Sequence, residues 1–339
     1  MMLSPYISDA KALYPAPLKK GDTIAIVAPA SYPEEDEATI MRAASQLTQR
    51  GYRVKLAPNL QFRHGYLAGT DDERAKAFMA AWLDPEVDAL WCYRGGFGCT
   101  RILDKLDYKA LEAHPKILIG MSDITALHAA INKNCSLVTF LGPNVNGVFT
   151  KSADGDSLFG ERELWKLLSS NHQHPGKSYE LPSPTSFPYK ELTPRTIRPG
   201  VAIGRLTGGT LSLVAALIGT PWEIDTRGKI LILEEVGEEP YRIDRWMRQL
   251  EQSGAFKQPA AVVLCSWRGC HGKAGKKTLS LEELFADYFS KVRYPVLYGF
   301  PSGHITDQVT LPLNSFAELD ATKKQLRLIH SQDISKNTR

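Results

Sequence analysis

A serine stands at the point where the chain changes from a strand pattern to a helix pattern. Lys116–Ile119 is a short apolar run typical of a buried strand, and Asp123–Ile131 repeats apolar residues at three- and four-residue steps, as a helix does. Between them, Gly120 and Met121 leave room only for a sharp turn before Ser122. A serine in this turn lies at the carboxyl end of a strand and at the positive end of a helix dipole, which favours developing negative charge. The pattern is typical of the nucleophile elbow of serine hydrolases.

A purely structural role fits the same serine. Serine is a favoured N-cap residue, and in that role Ser122 would accept a hydrogen bond from the backbone N–H of Thr125. The hydrolase pattern also has a glycine two residues after the serine, where this chain has Ile124. The motif alone therefore leaves both interpretations open.

A serine nucleophile needs a base to take its proton and a carboxylate to orient that base. His304 follows Gly303 in a tight turn directly after an apolar strand pattern, a place that presents a side chain well. Glu234 and Glu235 end another strand pattern, and because successive strand residues face opposite sides, at most one of them points into a cleft. An ordinary loop histidine and a pair of surface glutamates are the plain alternatives.

The loop Tyr93–Gly98 contains three glycines after a predicted strand. Backbone N–H groups of such a loop can approach an oxyanion closely, because glycine has no side chain. A plain turn from strand to helix explains the same glycines equally well.

Strand and helix patterns alternate through the first half of the chain. The predicted strands are 22–28, 52–57, 87–93, 116–119 and 137–141, and the predicted helices are 33–50, the segment from the Thr70–Glu73 capping box to about Leu83, and 123–131. This alternation predicts an α/β fold with a parallel sheet and helices on both faces. Ligands of such sheets bind beyond the carboxyl ends of the strands, where both the glycine loop and Ser122 lie. The first strand lacks the glycine fingerprint of a dinucleotide site, so no such cofactor is expected.

The second half of the chain follows a segment of different composition. Residues 171–200 are rich in proline, serine and histidine and predict a linker with some extended structure. We therefore expect an N-terminal α/β domain over 1–170 and a C-terminal β-rich domain over 201–339. Several short strand patterns near the end predict a small, partly closed sheet in the second domain.

The composition excludes several classes of protein. The 339 residues are 43% hydrophobic and 23% charged, with a net charge of +4 from mixed charges and no basic stripe, so nucleic acid is not expected as a partner. No apolar run reaches the roughly 20 residues of a membrane span, and the first residues do not resemble a signal peptide. Five cysteines without paired spacing predict reduced thiols in a cytoplasmic protein. Cys265, Cys270 and His271 lack the spacing of a zinc site, so no metal is expected.

Seven short segments, taken in order, make a combined pattern that none of them makes alone. They are Lys20–Ala30, Leu67–Arg74, Tyr93–Gly96, Gly120–Asp123, Gly204–Gly209, Leu233–Glu238 with Tyr241–Arg245, and Gly303–His304. Together they resemble the LD-carboxypeptidase family, the muramoyltetrapeptide carboxypeptidases, which also contains the microcin C self-immunity peptidases. The resemblance runs from about Lys20 to Leu319.

The resemblance implies a Ser-Glu-His triad between a Rossmann-like N-terminal domain and a smaller, β-rich C-terminal domain. Matched to this chain, the nucleophile is Ser122, the base is His304 and the orienting carboxylate is Glu234. The oxyanion donors implied are the backbone N–H groups of Asp123 and Gly96. No metal and no cofactor are implied.

The resemblance also implies a substrate, a cell compartment and an assembly. The expected reaction is release of terminal D-Ala from a murein-derived tetrapeptide in the cytoplasm, by a homodimer. A fork-shaped arginine suits the terminal carboxylate of the substrate. Candidates are Arg94, Arg205, Arg242 and Arg245, and the sequence does not choose among them. The alternatives are an immunity-type amidase acting on peptidyl-nucleotides and a non-catalytic protein that binds cell-wall peptides.

Overall fold

The structure is a computed structural model that describes residues 12–149, 159–169, 179–182 and 192–329. Its strands are β1 Thr23–Val27, β2 Arg53–Leu56, β3 Ala89–Cys92, β4 Ile117–Gly120, β5 Thr139–Leu141, β6 Tyr179–Glu180, β7 Arg195–Arg198, β8 Val201–Thr210, β9 Ile230–Val236, β10 Ala261–Arg268, β11 Val296–Tyr298, β12 Leu311–Leu313, β13 Phe316–Asp320 and β14 Gln325–Leu328. Its helices are α1 Glu37–Gln49, α2 Asp71–Leu83, α3 Tyr108–Ala113, α4 Thr125–Cys135, α5 Val145–Phe149, α6 Phe159–Ser169, α7 Leu211–Ala216, α8 Pro240–Ser253 and α9 Leu281–Phe289.

The first sheet has six strands in the order β12-β5-β4-β3-β1-β2. The five strands from the first half of the chain are parallel, as their alternation with helices predicts. Each face of this sheet is covered, because alternate residues of β1 join different hydrophobic cores: Ile24 and Ile26 pack with α1, and Ala25 and Val27 with α2. The predicted parallel α/β arrangement is therefore confirmed.

The helix α2 begins at the capping box that the sequence predicts. The backbone N–H of Glu73 donates to the hydroxyl of Thr70 at 3.3 Å, and the Glu73 carboxylate accepts from the backbone N–H of Thr70 at 2.8 Å. Both contacts satisfy N–H groups that a helix start otherwise leaves unpaired.

The second sheet has eight strands in the order β6-β14-β13-β8-β9-β10-β11-β7. Its central strands β8 to β11 are parallel, and the strands outside them are antiparallel. The α/β fold class is confirmed, but the expectation of a small, partly closed sheet is wrong. The sheet is larger because β6 and β7, from the proline-rich segment 171–200, pair at its two ends; residues 171–178 and 183–191 of that segment lie outside the described residues.

One strand from the end of the chain belongs to the first sheet. β12 pairs antiparallel with β5, Leu311 opposite Leu141 and Leu313 opposite Thr139. The chain thus crosses from the second sheet to the first shortly after His304. The boundaries at 170 and 200 stay a prediction, and β12 lies in the first sheet although its residues fall in 201–339. Across the described residues, no helix combines the length and the apolar character needed to cross a bilayer.

Candidate active site

The turn after β4 holds Ser122 in a left-handed backbone conformation, with φ of 64°. An L-residue adopts this region at a cost of about 1 to 2 kcal/mol, so the surrounding structure must impose it. A short 3₁₀ turn, Ser122–Ile124, then leads into α4. The backbone N–H of Thr125 donates to the backbone oxygens of Ser122 and Asp123, and within the described residues the Ser122 hydroxyl makes no hydrogen bond. The N-cap bond of the structural alternative is therefore not formed.

Packing and hydrogen bonds hold the residues just before the serine. The Asn144 side chain accepts from the backbone N–H of Met121 at 3.1 Å and donates to its carbonyl at 3.5 Å. A Cβ on Gly120 would lie 2.9 Å from Cγ1 of Ile124, so the isoleucine fills the space that only glycine leaves at 120. Ile124 is therefore accommodated at the position where the hydrolase pattern has glycine.

A buried histidine on α4 supports the same strand end. Nε2 of His128 lies 2.9 Å from the carbonyl oxygen of Gly120. Burial lowers the pKa of His128 to about 4, so the ring is neutral at physiological pH and donates through Nε2.

The glycine loop after β3 lies directly against Ser122. A Cβ on Gly95 would be 2.7 Å from Cβ of Ser122 and 3.1 Å from the backbone nitrogen of Asp123. Gly96, with φ of 103°, would place a Cβ 2.3 Å from Oγ of Ser31. Ser31 also fixes the loop, because its hydroxyl accepts from the Phe97 N–H at 3.1 Å and its own N–H donates to the Gly95 carbonyl at 3.3 Å. The two predicted oxyanion donors thus belong to two backbone segments in contact.

The side chain of Asp123 points away from this contact into the protein. It is 1% exposed, and its carboxylate accepts from the backbone N–H of Cys99 at 2.7 Å. Burial raises the pKa of Asp123, against the opposing effect of the hydrogen bonds from Cys99. The carboxylate therefore anchors the 3₁₀ turn, and the predicted role of Asp123 as an oxyanion donor concerns its backbone N–H alone.

Glu234 and His304 form a hydrogen-bonded pair. Nδ1 of His304 lies 2.7 Å from Oε2 of Glu234, and the His304 backbone N–H donates to the same oxygen at 3.2 Å. Gly303 permits this approach, because a Cβ there would lie 2.5 Å from the carboxylate oxygen. Glu234 is fully buried, whereas the His304 side chain is 21% exposed. The carboxylate partner assigns the proton to Nδ1 and leaves Nε2 free to accept one.

Opposing effects set the protonation of this histidine. Burial lowers the pKa of His304, but the charge of Glu234 and its hydrogen bond outweigh burial, so the pKa lies above the ordinary value. Glu235 contributes in the same direction, and Arg268 opposes it. The charged groups at the ends of β9 and β10 therefore contribute to the pKa of the imidazole.

Glu235 faces the other side of β9. Its carboxylate accepts from the backbone N–H groups of Ser212 at 2.9 Å and Val236 at 3.0 Å, and it is 3% exposed. Burial raises the pKa of Glu235, against these hydrogen bonds. Both glutamates are buried, so the alternative of a surface pair is wrong, and only Glu234 contacts the histidine.

Contacts between the two sheets bring the Ser122 turn and the Glu234–His304 pair to one junction. Thr210, at the end of β8, donates from its hydroxyl to Oε1 of Glu234 at 2.5 Å and from its N–H to Oγ1 of Thr125 at 3.1 Å. Gln308, four residues after His304, contacts the sulfur of Met121 at 3.0 Å. Thr210 is not among the residues predicted from the sequence, although it stands directly after the Gly204–Gly209 segment.

The candidate arginines lie in three different places. Arg94 belongs to the loop that contacts Ser122, and it pairs with Glu34 at 2.7 Å. Arg242 and Arg245 are exposed on α8, where Arg242 pairs with Glu238 at 3.3 Å and Arg245 lies 5.6 Å from the Tyr241 ring centre.

Arg205, the fourth candidate, is held inside the second sheet. It is 9% exposed, lies over the Phe316 ring and donates to the carbonyl of Asn314 at 2.8 Å. Of the four, Arg94 belongs to the loop that packs directly on Ser122. Arg205 lies on β8, a strand that also reaches the serine turn, but its side chain is directed to Phe316 and Asn314.

The described residues contain neither a cluster of metal-ligating side chains nor a disulfide bond. There, no three His, Cys, Asp or Glu side chains are grouped so as to hold a metal ion. Cys92, Cys99, Cys135, Cys265 and Cys270 are all buried free thiols.

The chain is similar to one family of known proteins along most of its length. Residues 24–142 match the LD-carboxypeptidase N-terminal domain and residues 203–319 match the LD-carboxypeptidase C-terminal domain. A probable murein peptide carboxypeptidase of Bacillus subtilis is 40% identical over 312 residues, which is 91% of this chain and 92% of that protein.

Solved structures are similar over the same length. The muramoyltetrapeptide carboxypeptidase of Oxalobacter formigenes has a TM-score of 0.77 and 31% identity, covering 90% of this chain and 97% of that one. The microcin C7 self-immunity protein MccF, in its wild-type apo state, has a TM-score of 0.83 and 27% identity, covering 94% of this chain and 99% of that one.

Proposed function

Because the chain belongs to the LD-carboxypeptidase family and is a peptidase, we propose that it is a serine carboxypeptidase that releases terminal D-Ala from murein tetrapeptides in cell-wall recycling. The substrate is the one for which its relatives are named, among them a muramoyltetrapeptide carboxypeptidase. The observation that carries the serine mechanism is the 2.7 Å contact between His304 and the buried Glu234, at the junction that also holds the strained Ser122 turn.

The proposed reaction has two steps. Oγ of Ser122 attacks the carbonyl carbon of the terminal peptide bond while Nε2 of His304 takes the hydroxyl proton. His304 then gives that proton to the leaving amino group of D-Ala, and the peptide stays on Ser122 as an ester. Water, deprotonated by the same imidazole, hydrolyses the ester and restores the serine. Glu234 holds the ring with Nδ1 protonated and stabilises the imidazolium formed in each step.

The tetrahedral intermediates carry an oxyanion that needs donors. In this proposal the backbone N–H groups of Asp123 and Gly96 donate to it, each contributing about 3 kcal/mol to transition-state stabilisation. The close contact between Gly95 and the Ser122–Asp123 backbone supports this assignment. Arg94, at the start of the same loop, is the preferred partner for the terminal carboxylate of the substrate, ahead of Arg242 and Arg245.

The first experiment measures D-Ala release from a murein tetrapeptide by the purified protein and by Ser122→Ala. We expect release by the wild type and a loss of about 10⁴-fold or more in the variant. Ser136→Ala is the matched control, because Ser136 is also a half-buried serine with left-handed backbone (φ of 50°), at the opposite end of α4. Equal activity of Ser122→Ala and the wild type would rule out the serine mechanism. Binding of tetrapeptide without release would favour a non-catalytic binding protein.

An immunity-type amidase is the second candidate function. The observation that favours it is the TM-score of 0.83 with MccF, against 0.77 with the muramoyltetrapeptide carboxypeptidase. The same assay run with a peptidyl-nucleotide separates the two functions. Turnover of the nucleotide conjugate alone would overturn the murein assignment.

Three further parts of the proposal concern the cell and the assembly. We place the enzyme in the cytoplasm, as a homodimer with domains over 1–170 and 201–339. Light scattering of the full chain tests the dimer, since a monomer at micromolar concentration contradicts it. Fractionation of cells with an antibody to the chain tests the compartment.

A further inference from the structure

Thr210 contacts both parts of the proposed site. It is the last residue of β8 and lies beside Glu234 of the parallel strand β9. Its hydroxyl donates to Oε1 of Glu234 at 2.5 Å, and its backbone N–H donates to the hydroxyl oxygen of Thr125 at 3.1 Å. Thr125 is the first residue of α4, three positions after Ser122. One threonine therefore connects the acid of the Glu–His pair to the helix that follows the serine turn.

Water does not compete for these contacts. Thr210 is 2% exposed, and Thr125 and Glu234 are fully buried. A buried hydrogen bond to a charged group is strong, and a buried carboxylate oxygen without a donor is costly. The end of β8 and the start of α4 also lie so close together that no side chain fits at position 209. A Cβ on Gly209 would lie 2.5 Å from Oγ1 of Thr125.

The two oxygens of Glu234 have different donors. Oε2 accepts from both Nδ1 and the backbone N–H of His304, and among the described residues Oε1 accepts only from Thr210. The hydroxyl of Thr210 therefore resists rotation of the carboxylate out of the plane in which Oε2 faces the imidazole.

We propose that Thr210 is a positioning residue for the reaction, holding Glu234 with Oε2 against His304 and fixing that pair relative to the helix of Ser122. The proposal rests on the serine mechanism proposed above. Thr210 itself touches neither the substrate nor the reacting atoms.

The protonation of His304 reports the orientation of Glu234. The charged groups that act on the imidazole are Glu234 and Glu235 on β9 and Arg268 at the end of β10. Only Glu234 contacts the ring directly. If the Glu234 carboxylate rotates away, it no longer offsets the effect of burial, which lowers the pKa of His304. The imidazole then becomes a weaker base.

The experiment compares Thr210→Val, which removes the hydroxyl at nearly constant volume, with Thr210→Ser, which keeps it. Thr207→Val is the matched control, because Thr207 is a 7% exposed threonine on the same strand. Tetrapeptide turnover is measured for each, and the His304 imidazole is titrated by ¹⁵N NMR without substrate, with its signal assigned through His304→Gln.

We expect Thr210→Val to lower kcat about 10- to 100-fold with little change in KM, and to lower the pKa of His304 by about one unit. Thr210→Ser is expected to restore both values, and Thr207→Val to change neither. An unchanged or raised His304 pKa in a folded Thr210→Val protein would overturn the proposal. If the valine variant does not fold, Thr210→Ala removes the same hydroxyl without the branched side chain, and the same outcomes apply.

The two proposals fail in different ways. A wild type that hydrolyses no tetrapeptide contradicts the proposed substrate, but the NMR titration uses no substrate and still tests the role of Thr210.

Discussion

The Ser122 turn and the Glu234–His304 pair are held by different kinds of interaction. At the turn, close packing dominates: Gly95 and Gly120 are sites where a Cβ would overlap Ser122 or Ile124. At the pair, charge and hydrogen bonding dominate, with a buried carboxylate that accepts from Thr210 and His304. We therefore expect changes of side-chain volume to damage the Ser122 turn, and changes of charge or pH to damage the Glu234–His304 pair.

The largest expected effect is the removal of charge from the pair. In Glu234→Gln an amide replaces the carboxylate, so the imidazolium loses its counter-charge. One of the two terminal atoms becomes an NH2 donor, and the residue no longer fixes the tautomer with Nδ1 protonated. We expect kcat to fall about 10⁴-fold in a tetrapeptide assay. Glu235→Gln is the matched control on the next residue, since its carboxylate accepts from Ser212 and Val236 and does not contact His304. Equal losses in both variants would mean that the two acids act only through their shared electrostatic field.

A smaller effect is expected from added volume at the turn. In Gly95→Ala the new Cβ would lie 2.7 Å from Cβ and 3.0 Å from Oγ of Ser122, so the serine or the loop must move. Because displacements of about 1 Å cost about 10²-fold in rate, we expect kcat to fall about 10²- to 10³-fold with the fold retained by circular dichroism. Gly147→Ala is the control, because nothing lies within 4 Å of a Cβ at that position. Full activity of Gly95→Ala would show that the loop does not constrain the serine.

The smallest expected effect is on the pH dependence of kcat/KM, which depends on the Glu234–His304 pair and not on the Ser122 turn. A general base must be neutral to accept a proton, and the pKa of His304 is raised above its ordinary value by Glu234. The kcat/KM profile should therefore fall about tenfold per pH unit on its acidic side, with a midpoint above about 6.5.

The variants sharpen this test, because they act on different regions. Glu234→Gln should move the midpoint to lower pH, because the charge that raises the pKa of His304 against the effect of burial is then lost. Gly95→Ala should leave it in place. A midpoint that moves in Gly95→Ala but not in Glu234→Gln contradicts the division between the regions.

The sequence predicts much of the first sheet, because its strands and helices follow one another locally. The Thr70–Glu73 capping box and the apolar run before Gly120 each carry their own signal. Ser122, His304 and the pair Glu234 and Glu235 are candidates from their places in turns and at a strand end. The resemblance assigns their roles and selects Glu234, and these roles stay proposals that the geometry supports.

Contacts between distant segments could not be predicted in the same way. Nothing local in Leu311–Leu313 indicates that it pairs with β5, because that pairing depends on where the second sheet returns the chain. The size of the second sheet has no local signal for the same reason, since β6 pairs with β14 and β7 with β11, both far along the chain. For Thr210 the sequence offers only its place after the Gly204–Gly209 segment, because its importance comes from Glu234 and Thr125, which only folding brings to it.

The strand β12 has a consequence for how the molecule can be divided. It closes one side of the first sheet by pairing with β5, although it arrives from the far end of the chain. A truncated protein that ended before Leu311 would leave β5 as an edge strand with unpaired backbone groups, which could pair with other chains and cause aggregation. The carboxyl-terminal part of the chain thus supplies the edge strand of the first sheet. Shortening the chain from its carboxyl end would remove that strand and destabilise the sheet that carries Ser122.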